Sequence, residues 1–282
     1  MANILSGKEV AKSIKENVKK EVVELKNRGI NPTLAILRVG QNPDDIAYEK
    51  SILKNCDSVG IVGKVYELEE SISTEGLLEI IEKLNQDMDV HGILIFRPLP
   101  KHIDEELINN TISPLKDVDC MNPLNLEKVF EGNMDGFAPC TPKAAMKIME
   151  FYGIPLEGAK VSVVNRSMVV GKPLSMMLLG KNATVTICHS RTKDLKEVTK
   201  NSDIVVTALG RAKYFNEEYF NENSSIIDVG ISLDKDGNIS GDVDFDNVNT
   251  KVKSITPVPG GVGSVTTSIL LSHVVVACKH LK

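Results

Sequence analysis

The chain has 282 residues, is 42% hydrophobic and 25% charged, and carries a net charge of −5 with no long basic run. That length allows two domains and a sizeable core, and the charge argues against nucleic acid and membrane surfaces as main partners. Five cysteines, at 56, 120, 140, 188 and 278, show no CxxC spacing, which fits reduced thiols in a cytoplasmic protein.

The first 29 residues read as an amphipathic helix. Val10, Ile14, Val18, Val22 and Leu25 recur at helical spacing, Ser6 and Glu9 can form a capping box, and Gly29 stops the run. No targeting segment is read there. PTLAILRVG (32–40) predicts a buried strand, and a helix follows from Pro43 to Ser58. Residues 61–68 read as a strand, 74–87 as a helix, 92–100 as a strand stopped by two prolines, and a further helix starts near Asp104. This alternation predicts an α/β unit with a mostly parallel sheet.

Residues 111–142 are dense in Pro, Gly, Asp and Asn and predict a long irregular loop, functional or connecting. A helix is expected from Thr141 to Tyr152. A second alternating block then places strands at 159–165, 183–188, 203–210 and 224–231 and helices at 171–179, 194–201 and 216–221. Four strands with intervening helices suggest a small dinucleotide-binding fold. Residues 234–245 read as a turn or hairpin insertion. The apolar stretch 265–278 is expected to be a buried C-terminal helix, too short to span a bilayer.

Several motifs carry candidate chemistry. VVNRSMVVGKP (163–173) joins a strand to a helix, where helix N–H groups can face a pyrophosphate. Gly171 would let strand and helix approach, and Asn165 can take a positive φ nearly as glycine does. A plain strand-to-helix turn is the competing reading. The next strand ends in CHSRT (188–192), with no carboxylate for ribose hydroxyls. Ser190, Arg191 and Arg166 instead suit a 2′-phosphate and favour NADP over NAD, against the alternative of a solvated loop. Cys188 reads as a small buried hydrophobe. DVD (117–119) could hold a polar ring system or be a turn with solvated acids. PVPGGVG (257–263) could bring backbone close to a ligand or be a tight turn. The five histidines lack metal-ligand spacing, so no metal is expected.

Taken in order, VGQNPDDIAY (39–48), RPLP (97–100), KDVD (116–119), PCTP (139–142), RSMVVGKP, ATVTICHSRT (183–192), IIDVGI (226–231), GDVDF (241–245) and TPVPGGVG (256–263) resemble the bifunctional methylenetetrahydrofolate dehydrogenase/methenyltetrahydrofolate cyclohydrolase family over nearly the whole length. The resemblance implies an α/β fold of two domains. Residues 1–142 would form the folate-binding, catalytic domain and 143–255 a Rossmann-type NADP-binding domain. Residues 256–282 would be a glycine loop and a helix returning to the first domain. It also implies a folate cleft between the domains, tetrahydrofolate derivatives as substrates, a homodimer through the cofactor domain, and a place in one-carbon metabolism and purine biosynthesis. Tyr48 would orient the folate ring and Asp119 its pterin edge, with Pro259, Gly260 and Gly263 lining the pocket. Asn165, Arg166, Ser167 and Ser190 would hold the cofactor phosphates, and Ile231 would border the nicotinamide.

The departures from that pattern are specific. The family's usual Ser three residues before the Tyr is Asp45, and its Lys four residues after is Ile52. The Gln of QLPLP is Phe96, the Gly of the phosphate turn is Asn165, and the Pro-Met after the glycine loop is Ser264-Val265. Lys and Gln are the family's polar catalytic pair. With Ile52 and Phe96 in their place, the expectation is an NADP-linked dehydrogenase with weak or absent cyclohydrolase activity. The alternatives are a fully bifunctional enzyme and a non-catalytic folate- or nucleotide-binding paralogue.

Overall fold

The computed structural model describes residues 1–133 and 136–281. The chain folds as two compact units. One holds Met1–Lys12, Val129–Gly132 and Pro139–Thr266; the other holds Ser13–Lys128, Asn133–Ala138 and Thr267–Lys282.

The first element is a strand, where the sequence suggests only helix. β1 (Asn3–Ile4) precedes α1 (Gly7–Asn27). Two residues are too short to show a pattern, and their partner lies far along the chain. α1 buries Val10, Val18, Val22 and Leu25 as its spacing predicts. Then come β2 (Thr33–Val39), α2 (Pro43–Val59), β3 (Val62–Leu68), α3 (Thr74–Gln86), β4 (Gly92–Ile95), α4 (Glu105–Thr111) and α5 (Pro123–Glu131). α5 corrects the reading of 111–142 as irregular throughout. Pro123 occupies the first turn, and the Asn122 side chain accepts from the Leu124 N–H at 2.9 Å, so residues that look like loop punctuation start a helix.

β3, β2 and β4 form a parallel sheet in that order. Ala35 and Leu37 of β2 join Ile93 and Ile95 of β4, Leu77, Ile81 and Leu84 of α3, and Ile108 of α4 in one buried cluster. Six of the seven β2 residues are buried, as a central parallel strand requires. A Cβ at Gly92 would come within 3.2 Å of Val274, so the C-terminal helix packs back on β4.

The remaining elements are α6 (Cys140–Phe151), β5 (Lys160–Val164), α7 (Gly171–Leu179), β6 (Thr184–Cys188), α8 (Leu195–Lys200), β7 (Ile204–Thr207), a single 3-10 turn at Glu217–Tyr219, β8 (Ser225–Asp228), β9 (Ser232–Leu233), β10 (Ile239–Ser240), α9 (Phe245–Val248), β11 (Ser254–Ile255) and α10 (Val262–His280). The sheet has six strands, not four, in the order β1-β11-β8-β7-β5-β6, all parallel. The chain steps from β5 outward to β6, then back to β7 on the other side. That reversal is the switch point at which such sheets hold ligands, at the carboxyl ends of the strands. β9 and β10 make the expected antiparallel hairpin.

α10 is longer than the apolar run suggests. Its 19 residues are long and apolar enough to cross a bilayer by length and composition, and 61% of the apolar window is buried inside the protein. Lys279 Nζ pairs with Glu21 of α1 at 3.0 Å, tying the last helix to the first.

Candidate active site

Tyr48 lies on α2, with 44% of its surface exposed, and its ring sits 5.5 Å from that of Phe96 at an interplanar angle of 35°. Phe96 follows β4 directly. Its N–H donates to Leu37 O at 3.0 Å, extending the sheet pairing by one residue and fixing the ring's origin. Phe96 is 7% exposed and Ile52 wholly buried. The two positions where the family pattern has polar groups are therefore closed and apolar. Lys50 and Lys54 are exposed, and neither is a helical neighbour of Tyr48 on its own face. Glu49, beside Tyr48, is buried and paired with Arg38 at 2.8 Å.

The DVD carboxylates divide. Asp117 is buried and accepts from the N–H groups of Met121 and Asn122, both at 2.9 Å, and from Asn125 Nδ2 at 2.8 Å. Burial raises its carboxyl above the usual range against those hydrogen bonds. It is a brace for the loop and the start of α5, which corrects the reading of two ring-binding acids. Lys116 is buried too. Its Nζ donates to Leu84 O at 2.8 Å and Asp87 O at 2.7 Å at the end of α3, and burial lowers its ammonium below the usual range. Between these anchors the half-buried Asp119 is presented from a fixed backbone.

In the other unit, β5 and β6 run in register with Val164 opposite Cys188. Asn165-Arg166-Ser167 and His189-Ser190-Arg191 therefore leave the sheet side by side at its carboxyl edge. Arg166, Ser167, Ser190 and Arg191 are all exposed. Cys188 is buried and unbridged, as read, and burial pushes its thiol up.

Asn165 works differently from expectation. It is not among the described positive-φ residues. Its side chain does the shaping: Nδ2 donates to Ala208 O at 2.6 Å, and Oδ1 accepts from Ser167 N at 2.8 Å and Gly171 N at 3.1 Å. It staples the end of β5 to the end of β7 across the switch point. The expected N–H cradle of α7 is also occupied. Gly171 N–H goes to Asn165, Lys172 N–H donates to Ser167 O at 3.0 Å, Pro173 has none, and Leu174 N–H donates to Val170 O at 3.0 Å. The first turn of α7 therefore spends its N–H groups within the protein, and the exposed side chains of Arg166 and Ser167 lie on the turn before it. Gly171 is needed as read, since a Cβ there would lie 2.1 Å from Asn165 O.

The glycine loop has two demands. A Cβ at Gly261 would lie 2.3 Å from Pro257 O, and one at Gly7 would lie 1.9 Å from Gly261 O. Those glycines serve the loop's own folding against the chain's beginning. Gly260 has φ +107°, a region that favours glycine. A Cβ at Gly263 would meet Ile231 Cδ1 at 3.1 Å, so the structure brings Gly263 and the exposed Ile231 together. Pro259 follows a cis peptide bond.

Asp228 and Asp242 were legible only as parts of IIDVGI and GDVDF. Asp228 ends β8 buried and accepts from Thr207 Oγ1 at 2.9 Å, Gly230 N at 3.1 Å and Val243 N at 2.9 Å. Asp242 accepts from Leu209 N and, at 2.6 Å, from Arg211 N. Together they fix the loops after β7 and β8, including the Gly230-Ile231 approach. The signal was an acid inside an apolar run with a glycine beside it.

A parallel sheet with cationic and hydroxyl side chains at its switch point, together with a second α/β unit carrying a tyrosine-phenylalanine face, defines a two-unit dinucleotide-dependent enzyme. Residues 5–119 match the family description tetrahydrofolate dehydrogenase/cyclohydrolase, catalytic domain, and residues 139–282 match its NAD(P)-binding domain. The bifunctional protein FolD of Clostridium botulinum is 57% identical over 280 residues, 99% of each chain. The crystal structure of FolD methylenetetrahydrofolate dehydrogenase/cyclohydrolase from Campylobacter jejuni superposes with a TM-score of 0.97 at 41% identity, covering 99% of both chains. The Trypanosoma brucei enzyme, solved with NADP cofactor and an inhibitor, gives a TM-score of 0.93 at 33% identity over 99% of this chain and 98% of that one. The chain belongs to the tetrahydrofolate dehydrogenase/cyclohydrolase family. It is a methylenetetrahydrofolate dehydrogenase, an oxidoreductase of one-carbon metabolism in a family that also contains the hydrolase activity.

Proposed function

We propose that the chain is an NADP-dependent 5,10-methylenetetrahydrofolate dehydrogenase whose cyclohydrolase step is weak or lost. The observation that carries this reading is the closed apolar pair: Ile52 is wholly buried, and Phe96 lies against Tyr48. Hydride transfer needs two rings held face to face at near-attack distance and no obligatory protein acid or base. Opening the methenyl bridge needs an activated water and proton handling, for which a side chain supplies about 10²–10⁴-fold. Isoleucine and phenylalanine offer neither. Glu49 is committed to Arg38, whose guanidinium does not release its proton.

Tyr48 orients the folate ring and Asp119 takes the pterin's amino and amide edge. Pro259, Gly260 and Gly263 supply backbone to the folate, and Ile231 borders the nicotinamide. Arg166, Ser167 and Ser190 hold the cofactor phosphates on a turn that Asn165 shapes. NADP supplies the hydride acceptor when bound. The exposed cations Arg166 and Arg191, with no carboxylate at the end of β6, favour the 2′-phosphate. Apart from β1, which joins the cofactor sheet, residues 1–142 serve the substrate, 143–255 the cofactor, and 256–282 return the chain to the first domain. The assembly is a homodimer through the cofactor domain. In support, β6 ends its sheet with Thr184, Thr186 and Ile187 exposed, an edge that a second copy can cover. The setting is cytoplasmic, in keeping with five free, buried cysteines.

A fully bifunctional enzyme is the second reading. It is favoured by the name of the Clostridium botulinum relative, a bifunctional protein at 57% identity. Two spectrophotometric assays on the purified protein separate the readings: NADP-dependent formation of methenyltetrahydrofolate, and its decay by hydrolysis. The expected result is a dehydrogenase rate at least about 10²-fold above the cyclohydrolase rate. Comparable rates establish the bifunctional reading. Absence of hydride transfer with NADP bound would make the chain a non-catalytic paralogue.

A further inference from the structure

We propose that Arg38 is a positioning residue: its buried pair with Glu49 sets the rotation of α2 and so aims the Tyr48 ring. This rests on the reading of Tyr48 as a folate contact.

α2 is anchored unevenly along its length. Its buried residues are Glu49, Ile52, Cys56 and Val59, a single stripe at steps of three and four. Nothing from Pro43 to Tyr48 is buried. The opening turns therefore lie at the surface. Asn42 caps the start, its Oδ1 accepting from Asp44 N at 2.9 Å. Glu49, the first residue of the buried stripe, is the next deep one.

Arg38 reaches Glu49 from β2, with Nε donating to Oε2 at 2.8 Å. The same guanidinium donates from Nη1 to Gly40 O at 2.5 Å, in the loop that leads into α2. Its Nη2 faces Glu67 Oε2 at 3.1 Å, on the β3 residue opposite Arg38 in register. One planar fork thus ties the helix, the entry loop and the neighbouring strand. Arg38 is 4% exposed and Glu49 7%. Stability alone gives little reason for such a pair, because apolar replacements of similar volume are commonly as stable. What a fixed fork adds is direction.

Tyr48 precedes Glu49 by one residue, about 100° round the helix. A group at the outer radius of a helix, roughly 5–6 Å, moves about 1 Å for every 10° of rotation. A misplacement of about 1 Å can cost roughly 100-fold in rate. The ion pair that holds Glu49 therefore holds the ring beside it, and the contact between Tyr48 and Phe96 depends on that setting.

The test uses the full chain and dehydrogenase kinetics in both substrates, with the thermal midpoint recorded for each variant. R38M/E49L replaces the pair with apolar side chains. The expected result is a folate kcat/KM lower by about 10- to 100-fold, a KM for NADP changed less than about twofold, and a thermal midpoint within about 5 °C. R38K keeps the charge without the fork and is expected to fall between this variant and the parent. Should the double variant fail to fold, E49Q keeps the shape and one acceptor and carries the same comparison with a smaller loss. A folded R38M/E49L with unchanged folate kcat/KM, alongside a Y48A variant that loses it, overturns the positioning role. A KM for NADP that rises as much as the folate kcat/KM falls also overturns it, because that marks a general structural effect. If Y48A leaves folate kinetics unchanged, the Tyr48 reading fails and the positioning role falls with it.

Discussion

The Tyr48 face and the switch-point turn treat water in opposite ways. Around Tyr48, a wholly buried isoleucine and a nearly buried phenylalanine stand where the family pattern has a lysine and a glutamine. At the ends of β5 and β6, two arginines and two serines are exposed to solvent and to any anion that arrives there. One region is closed and apolar; the other is charged and open. Moving a hydride tolerates the first condition and needs the second. Hydrolysis tolerates neither the loss of water nor the loss of a group to handle its protons.

The largest expected effect comes from reversing the dry side. I52K places a cation at a wholly buried, apolar position and should cost about 3–5 kcal/mol of stability, read by urea unfolding. It should not restore full cyclohydrolase activity, because Phe96 still occupies the second polar position; I52K/F96Q should hydrolyse faster than I52K. An I52K protein of parental stability and full hydrolase activity would erase the contrast between the regions. On the wet side, N165A removes three side-chain hydrogen bonds. It should destabilise by about 2–3 kcal/mol and raise the KM for NADP, with thermal unfolding and kinetics as the readouts. R166A should raise the KM for NADP about 10- to 100-fold while leaving the folate KM alone, as the loss of one charge-assisted contact of about 1.5–3 kcal/mol implies. Equal changes in both constants would show that the turn is not dedicated to the cofactor.

A further effect is a slope, small at any one pH step. Burial pushes Asp228 up to about 7, with Asp242 adding to the rise. An unfolded aspartate titrates near about 3.9. Between those values the folded chain holds a proton that the unfolded chain has released, so stability is highest below about pH 4 from this group and falls as pH rises to about 7. The limit is about 1.4 kcal/mol per pH unit. D228N should flatten the dependence of the thermal midpoint on pH over that window, whatever it does to the midpoint itself.

Much of this was legible because local pattern and burial agree. The TLAILRV strand is buried on both faces because it is central, and GKPLSMMLL is a helix with the residues the sequence suggests. The roles of polar side chains were harder. Asn165 reads as a backbone choice, but its function lies in where its amide reaches, across to Ala208 on another strand. Asp117 and Asp119 look alike in DVD, and only the position of Asn125 and α5 decides which is consumed. Arg38 and Glu49 sit eleven residues apart with nothing in either stretch to pair them. Such contacts depend on tertiary placement, which spacing in one sequence does not encode.

The pairing of β1 with β11 has a consequence for how the chain is made. Asn3 and Ile4 leave the ribosome about 250 residues before Ser254 and Ile255, the strand they pair with among the described residues. At roughly 5–20 residues per second, that is a delay of roughly 10–50 s. Throughout it, their backbone donors and acceptors have no sheet to join, and β11 itself, once made, must find β8 on one side and β1 on the other. The outermost strand of the cofactor sheet is thus the earliest to be synthesised and among the last to be placed.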